Sequence, residues 1–191
     1  MSTIEGEKVY TPDDLLTMPD RKKYELVDGK LVELEMSMWS SYVAGVIFRI
    51  VSNFCVANKL GWVFPEGTSF QCFPDNPDRI RKPDTCFIRM DRLTPEQMQR
   101  EGHGTVVPDL VVEVLSPNDV AYKVDRKVEE YLDAGAVVVW VVNPDTRTVK
   151  TFRSGNQFAL YHEDSEITEE DLLPGFQCKV GDLFAAFPDE K

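Results

Sequence analysis

Between Val137 and Val142 six apolar residues, Val-Val-Val-Trp-Val-Val, follow one another without a polar break and stop at Asn143-Pro144-Asp145. A strand with one wet face alternates apolar and polar residues. A run without alternation suits a central strand covered on both faces, and hence a sheet held between two layers. Upstream, Asp109-Leu-Val-Val-Glu-Val-Leu115 reads as a second strand, and Asp119 to Ala134 as a helix stopped by Gly135. Strand, helix and strand in that order form a crossover unit. The expected fold class is therefore α/β, a mixed central sheet flanked by helices.

Other segments fill in around this unit. Thr11-Pro12-Asp13-Asp14 has the signature of a helix start, with Thr11 as N-cap and Pro12 in the first turn. Tyr24 to Val27 and Lys30 to Met36 flank Asp28-Gly29, which predicts a tight hairpin. Val43, Val46, Ile47, Ile50, Val51 and Phe54 recur at spacings of three and four, an amphipathic helix over Tyr42 to Asn58. Strands are expected at Trp62 to Cys72 and Arg81 to Ile88. A meander is expected in Thr148 to Arg153 and Gln157 to Tyr161, around a turn at Ser154-Gly155-Asn156. The reading is one domain over residues 8–187, with 1–7 and 188–191 as flexible termini.

The net charge of −12 rules out bulk attraction to nucleic acid, so contact with a polyanion needs a local basic patch. Acid is concentrated late: nine acidic residues against two lysines lie between Glu163 and Lys191. The sign reverses between Arg79 and Arg92, where five basic residues meet two acidic ones. Cys55, Cys72, Cys86 and Cys178 are scattered among apolar neighbours with no CxxC pair, which predicts buried free thiols and a reducing, cytoplasmic setting. No apolar run approaches the ~18 residues of a membrane span, and no membrane association is expected.

No phosphate-binding glycine loop, HExxH or GxSxG motif is present. His103, in Gly102-His-Gly104, is expected to face solvent. The informative residue is Glu113. Period two places Asp109, Val111, Glu113 and Leu115 on one face of their strand, so a carboxylate sits in the middle of an apolar element and needs a cation, either Lys/Arg or a metal. Asp84, in Arg81-Lys-Pro-Asp84, starts a neighbouring apolar strand and could converge with Glu113 on one ion. Two carboxylates plus water are the usual protein share of a Mg²⁺ site acting on phosphate. On the following helix Lys127 flanks the stripe of Val124, Val128 and Tyr131 and can lean over the sheet, with Lys123 one turn earlier.

Taken together and in order, Tyr24-Glu-Leu-Val-Asp-Gly-Lys30, Lys82-Pro-Asp84, Pro108-Asp-Leu-Val-Val-Glu-Val-Leu-Ser-Pro117, Lys127 with Tyr131, and Gly135 followed by Trp140-Val-Val-Asn-Pro144 resemble the Uma-type restriction endonuclease family. That family is a bacterial branch of the PD-(D/E)XK nuclease superfamily. The resemblance implies a restriction-endonuclease-like sheet with an added N-terminal hairpin and C-terminal meander. It also implies a Mg²⁺-dependent endonuclease, with Mn²⁺ as a substitute, acting on nucleic acid and DNA first. Asp84 and Glu113 match the metal-binding acids, assisted by the main-chain carbonyl of Val114. Leu115 stands where the usual lysine would be, and Lys127 matches the lysine this branch supplies from the next helix. Glu25 matches an acid of the first hairpin that lines the same cleft. Arg81, Lys82 and Lys123 are expected to meet substrate. Two positions depart from the family pattern: Ser40, Ser41 and Tyr42 occupy the start of the long helix, where a basic residue or histidine is common, and Lys123 stands where many relatives carry Asp. The alternative is a nuclease-fold binding or assembly module without catalysis. A homodimer is expected through the late hairpin, with Val149, Phe152, Phe158, Leu160 and Tyr161 supplying apolar surface.

Overall fold

In the computed structural model, residues 8–185 are described. The termini expected to be flexible lie outside that range. Helix α1 (Pro12–Thr17) starts at a capping box: Asp14 N–H donates to Thr11 Oγ, and the Asp14 carboxylate accepts the Thr11 N–H at 2.8 Å. Strands β1 (Tyr24–Val27) and β2 (Lys30–Glu33) form the expected hairpin. Its turn residues Asp28 and Gly29 have φ of 51° and 76°, the pair of positive values that a type I′ turn requires.

Helix α2 (Met38–Asn58) is followed by β3 (Gly61–Pro65), β4 (Thr85–Arg89), the short α3 (Pro95–Met98) and β5 (Leu110–Val114). Next come α4 (Ala121–Ala134), β6 (Val138–Asn143), β7 (Thr148–Arg153) and β8 (Gln157–Tyr161). A last hairpin joins β9 (Glu166–Thr168) to β10 (Gln177–Lys179). The central sheet has the order β3-β4-β5-β6-β7-β8. Only β5 and β6 are parallel, joined by the α4 crossover; the other neighbours are antiparallel.

The apolar run in β6 divides as its lack of alternation requires. Val138, Trp140 and Val142 enter one core with α2, while Val139 and Val141 enter a second core with α4. The first core holds Val43, Ile47, Val51, Phe87, Val112 and Phe176. Each fully buried side chain of this kind contributes about 1.5–3 kcal/mol. By length and apolarity alone α2 could cross a membrane. In the fold that apolarity covers the sheet: Val43, Ile47 and Cys55 are fully buried.

Several boundaries differ from expectation, each for a local reason. Helix α2 starts four residues early because Ser37 caps it, its Oγ accepting the Ser40 N–H at 3.0 Å. Helix α4 starts two residues late, because Asp119 accepts the Ser116 N–H in a turn before it. The expected strand from Trp62 ends at Pro65, where the chain turns at Glu66-Gly67; Phe70 makes only isolated bridges to Arg81 and Gly104. The expected strand from Arg81 begins at Thr85, since Pro83 has no N–H for a ladder and Arg81 and Lys82 turn inward.

Candidate active site

Strands β4 and β5 pair with Thr85 opposite Val112 and Cys86 opposite Val111. One step further along that register sets Asp84 opposite Glu113. Period two points both toward the α4 side, the side of Cys86 and Val111. Asp84 is fixed there by its Oδ2, which accepts the Val114 N–H at 2.6 Å. Like charges directly across a sheet repel, so the pair needs a cation. Helix α4 supplies one. Lys127 Nζ lies 2.9 Å from Glu113 Oε2 and 3.3 Å from Glu25 Oε1.

Behind Lys127 the charges alternate. Glu25, on β1 and almost fully buried, accepts the Lys82 N–H through Oε1 and Arg81 Nη1 through Oε2, each at 2.8 Å. Arg81 in turn donates from Nε and Nη2 to Glu130 Oε2 at 2.8 and 2.6 Å. Glu130 is also approached by Arg79 at 3.4 Å and by Arg126 at 3.3 Å. Dehydrating such charges costs several kcal/mol each, and only close, complete pairing offsets it. The guanidinium fork of Arg81 is suited to holding two carboxylates at once.

The balance of burial and pairing differs from one acid to the next. Burial, reinforced by the Glu113 charge, pushes the Asp84 carboxyl well above its usual range. Burial also raises Glu113, with Lys127 opposing and Glu25 adding to the rise. For Glu25 burial acts upward too, but Lys127 and Arg81 together overcome it and hold the carboxyl below its ordinary value. Lys127 is driven down by burial and up by Glu113 and Glu25; the two carboxylates win, so its ammonium is held in the charged form.

These groups line a cleft of about 430 Å³, whose walls include Val114, Glu66 and the exposed Lys123. One of its atoms is conspicuous. Glu113 Oε1 is buried without a hydrogen-bond partner, next to a second carboxylate that shares no proton donor with it. Among the described residues no three His, Cys, Asp or Glu side chains form a complete cation cage. The donor set fits a hard cation held by two carboxylates and water, which is how proteins commonly bind Mg²⁺.

Asp84, Glu113, Lys127 and Glu25 are thus brought together. Other placements differ in detail from expectation. Arg81 and Lys82 are each 5% exposed: Arg81 lines the cleft but is held by Glu25 and Glu130, and Lys82 lines a separate cavity. Glu25 accepts from the Lys82 N–H and from Arg81 and pairs with Lys127, so it positions that lysine. His103, expected to face solvent, is half-buried, with Nδ1 2.8 Å from Ser69 Oγ. Glu130 was not foreseen. Its signal was its place three residues after Lys127, on the flank of the same apolar stripe, where the two side chains are helix neighbours.

A mixed sheet with two acids facing each other at the edge of β4 and β5, and a lysine leaning in from the crossover helix, defines a nuclease-like α/β protein. Residues 12–181 match the family model Uma2, described as "Putative restriction endonuclease", and the chain belongs to that family. A crystal structure from Anabaena variabilis ATCC 29413, described as "a putative nuclease belonging to DUF820", matches with a TM-score of 0.74. The identity is 21%, over 91% of this chain and 97% of that one, and the likeness shows the shared fold. No curated protein matches the chain.

Proposed function

We propose that this protein is a divalent-metal-dependent endonuclease hydrolysing phosphodiester bonds of nucleic acid, DNA first. The observation that carries the reading is the open, buried Glu113 Oε1 beside Asp84 in a cleft that also holds a charged lysine. Asp84 and Glu113 would hold Mg²⁺ or Mn²⁺, with Val114 at the same wall. Such an ion supplies Lewis acidity at phosphate and lowers the pKa of bound water. Lys127, kept protonated by two carboxylates, acts as a donor: it orients the attacking water or a non-bridging phosphate oxygen and offsets the charge that develops at phosphorus. Glu25 aims Lys127, and the Arg81–Glu130 pair fixes Glu25. Lys123, exposed at the rim of the cleft, is placed to meet the substrate backbone.

The reading extends to a cytoplasmic location, in keeping with four buried free thiols. It extends also to a two-fold dimer through edge strand β8. Phe158 and Leu160 are 57% and 44% exposed there, whereas Val149, also expected at the interface, is buried in the core. Light scattering at micromolar concentration tests the dimer; a particle of 21.8 kDa would refute it. The activity is tested by incubating plasmid and single-stranded DNA with the protein and Mg²⁺ or Mn²⁺. Cleavage abolished by Asp84→Ala and by Glu113→Gln supports the proposal. Absence of cleavage on both substrates, with metal still bound, would favour the binding module.

A further inference from the structure

Buried cations elsewhere in this protein have carboxylate partners. Arg79 meets Asp75 and Glu130, Arg81 meets Glu25 and Glu130, and Lys127 meets Glu25 and Glu113. Lys82 differs. It is 5% exposed, yet no carboxylate among the described residues pairs with its ammonium, which donates only to the Arg21 carbonyl oxygen. An ammonium has three donors, and the carboxylate that acts on it at longer range, Glu25, is already held by Arg81 and Lys127. In a chain with twelve more acids than bases, an acid could easily have stood there.

The Lys82 side chain lines a cavity of about 590 Å³ that shares no wall residue with the cleft of Asp84 and Glu113. Arg21 and Lys22 line it as well, and neither forms an ion pair among the described residues; Glu101 is its one acid. Ser69 and His103 complete the wall. His103 Nε2 lies 3.4 Å from the Pro12 carbonyl oxygen and Nδ1 2.8 Å from Ser69 Oγ. With Nε2–H directed at Pro12, a neutral ring accepts the Ser69 proton at Nδ1. A protonated ring donates to Ser69 and frees that hydroxyl to donate into the cavity.

We propose that this cavity is a phosphate-binding site, with Lys82 as its buried cation, Arg21 and Lys22 at its mouth, and Ser69 as a hydroxyl donor backed by His103. Its chemistry suits either a phosphodiester of a nucleic acid backbone or a free phosphate monoester. The first source rests on the nuclease reading; the pocket itself does not.

The protein has two histidines, so imidazole NMR reads the site directly. Inorganic phosphate is titrated in EDTA at constant ionic strength, with chloride as control. The His103 resonances should move saturably while those of His162 stay still. The His103 pKa should also rise, because phosphate adds negative charge to a surround of Lys82, Arg21 and Lys22 against Asp13 and Glu101. Arg21→Ala with Lys22→Ala, both exposed and safe for the fold, should weaken phosphate binding by about tenfold or more. Lys82→Met should abolish it, with unchanged circular dichroism showing that the fold is kept. No saturable shift, or the same shift in the double variant, overturns the proposal. An oligonucleotide with hydroxyl ends that moves the same resonances assigns the backbone; a response to a nucleoside monophosphate alone assigns a free monoester. Binding is read without turnover, so an inactive protein could still bind phosphate here, and an active one could fail to.

Discussion

Strand β5 shows two faces built on different principles. Toward α2 it presents Leu110, Val112 and Val114, packed with Phe87, Trp140 and Val142 in a dry core. Toward α4 it presents Val111 and then Glu113, where carboxylates and cations replace apolar contacts. The α2 face is bound by area, which tolerates small shifts and is insensitive to pH. The α4 face is bound by pairing, which fails wherever one partner is lost. Stability is concentrated on the first face. The second gives up stability to keep Asp84 and Glu113 side by side.

The largest effect expected is on turnover. Lys127→Met keeps the aliphatic stem and removes the charge, and it should lower the cleavage rate by about 10²–10⁴, the range for a lost proton-transfer or donor group. It should also lower the melting temperature in EDTA, because Glu113 and Glu25 lose their shared cation. Added Mn²⁺ should restore part of that temperature and none of the rate. A Lys127→Met protein with full activity would remove this lysine from the reaction and leave Lys123 as the candidate.

Two changes of similar size then separate the faces. Phe87→Ala on the dry side should cost about 3–5 kcal/mol by urea unfolding, at all pH values alike. Arg81→Met on the charged side should cost about 3–5 kcal/mol at neutral pH, because Glu25 and Glu130 each lose a buried partner. Unlike the first loss, the second should shrink in acid as the Glu25 carboxyl, held below its ordinary value in the folded protein, takes up its proton. Equal pH profiles for the two variants would erase the distinction between the faces.

A smaller effect has the opposite sign. The folded state holds the Asp84 proton more tightly than the unfolded chain does, so the contribution of Asp84 to metal-free stability is greatest while it is protonated. It falls as pH rises from the ordinary aspartate value of 3.8 through the raised folded value. Asp84→Asn should therefore raise the neutral-pH melting temperature in EDTA and flatten that decline. The smallest change is Trp140→Phe, which removes the 2.8 Å bond from Nε1 to Glu169. It should cost about 1 kcal/mol, since Arg153 still pairs with that carboxylate.

What could be read from the sequence follows the same division. Periodicity and turn chemistry identified the dry face: the unbroken run in β6, the spacing of α2 and the Asp28-Gly29 turn each report local geometry. The Glu113–Lys127 contact was also legible, since strand parity and helix angle fix the two directions independently. Arg81 was not. Its neighbours in the chain make it look like a substrate-facing residue, and only the approach of β1 and α4 to the segment before β4 brings Glu25 and Glu130 to it. Lys82 was misplaced for the same reason: Pro83 breaks the ladder, and nothing local says which way the chain turns before it.

The central claim is that Asp84 and Glu113 form one cation-binding hydrolytic centre. It is tested most directly by the initial rate of DNA cleavage against Mn²⁺ concentration for wild type, Asp84→Asn and Glu113→Gln. The account predicts saturable, metal-dependent cleavage by the wild type and background rates for both variants, with fold retained by circular dichroism. Cleavage that persists in both folded variants would contradict it.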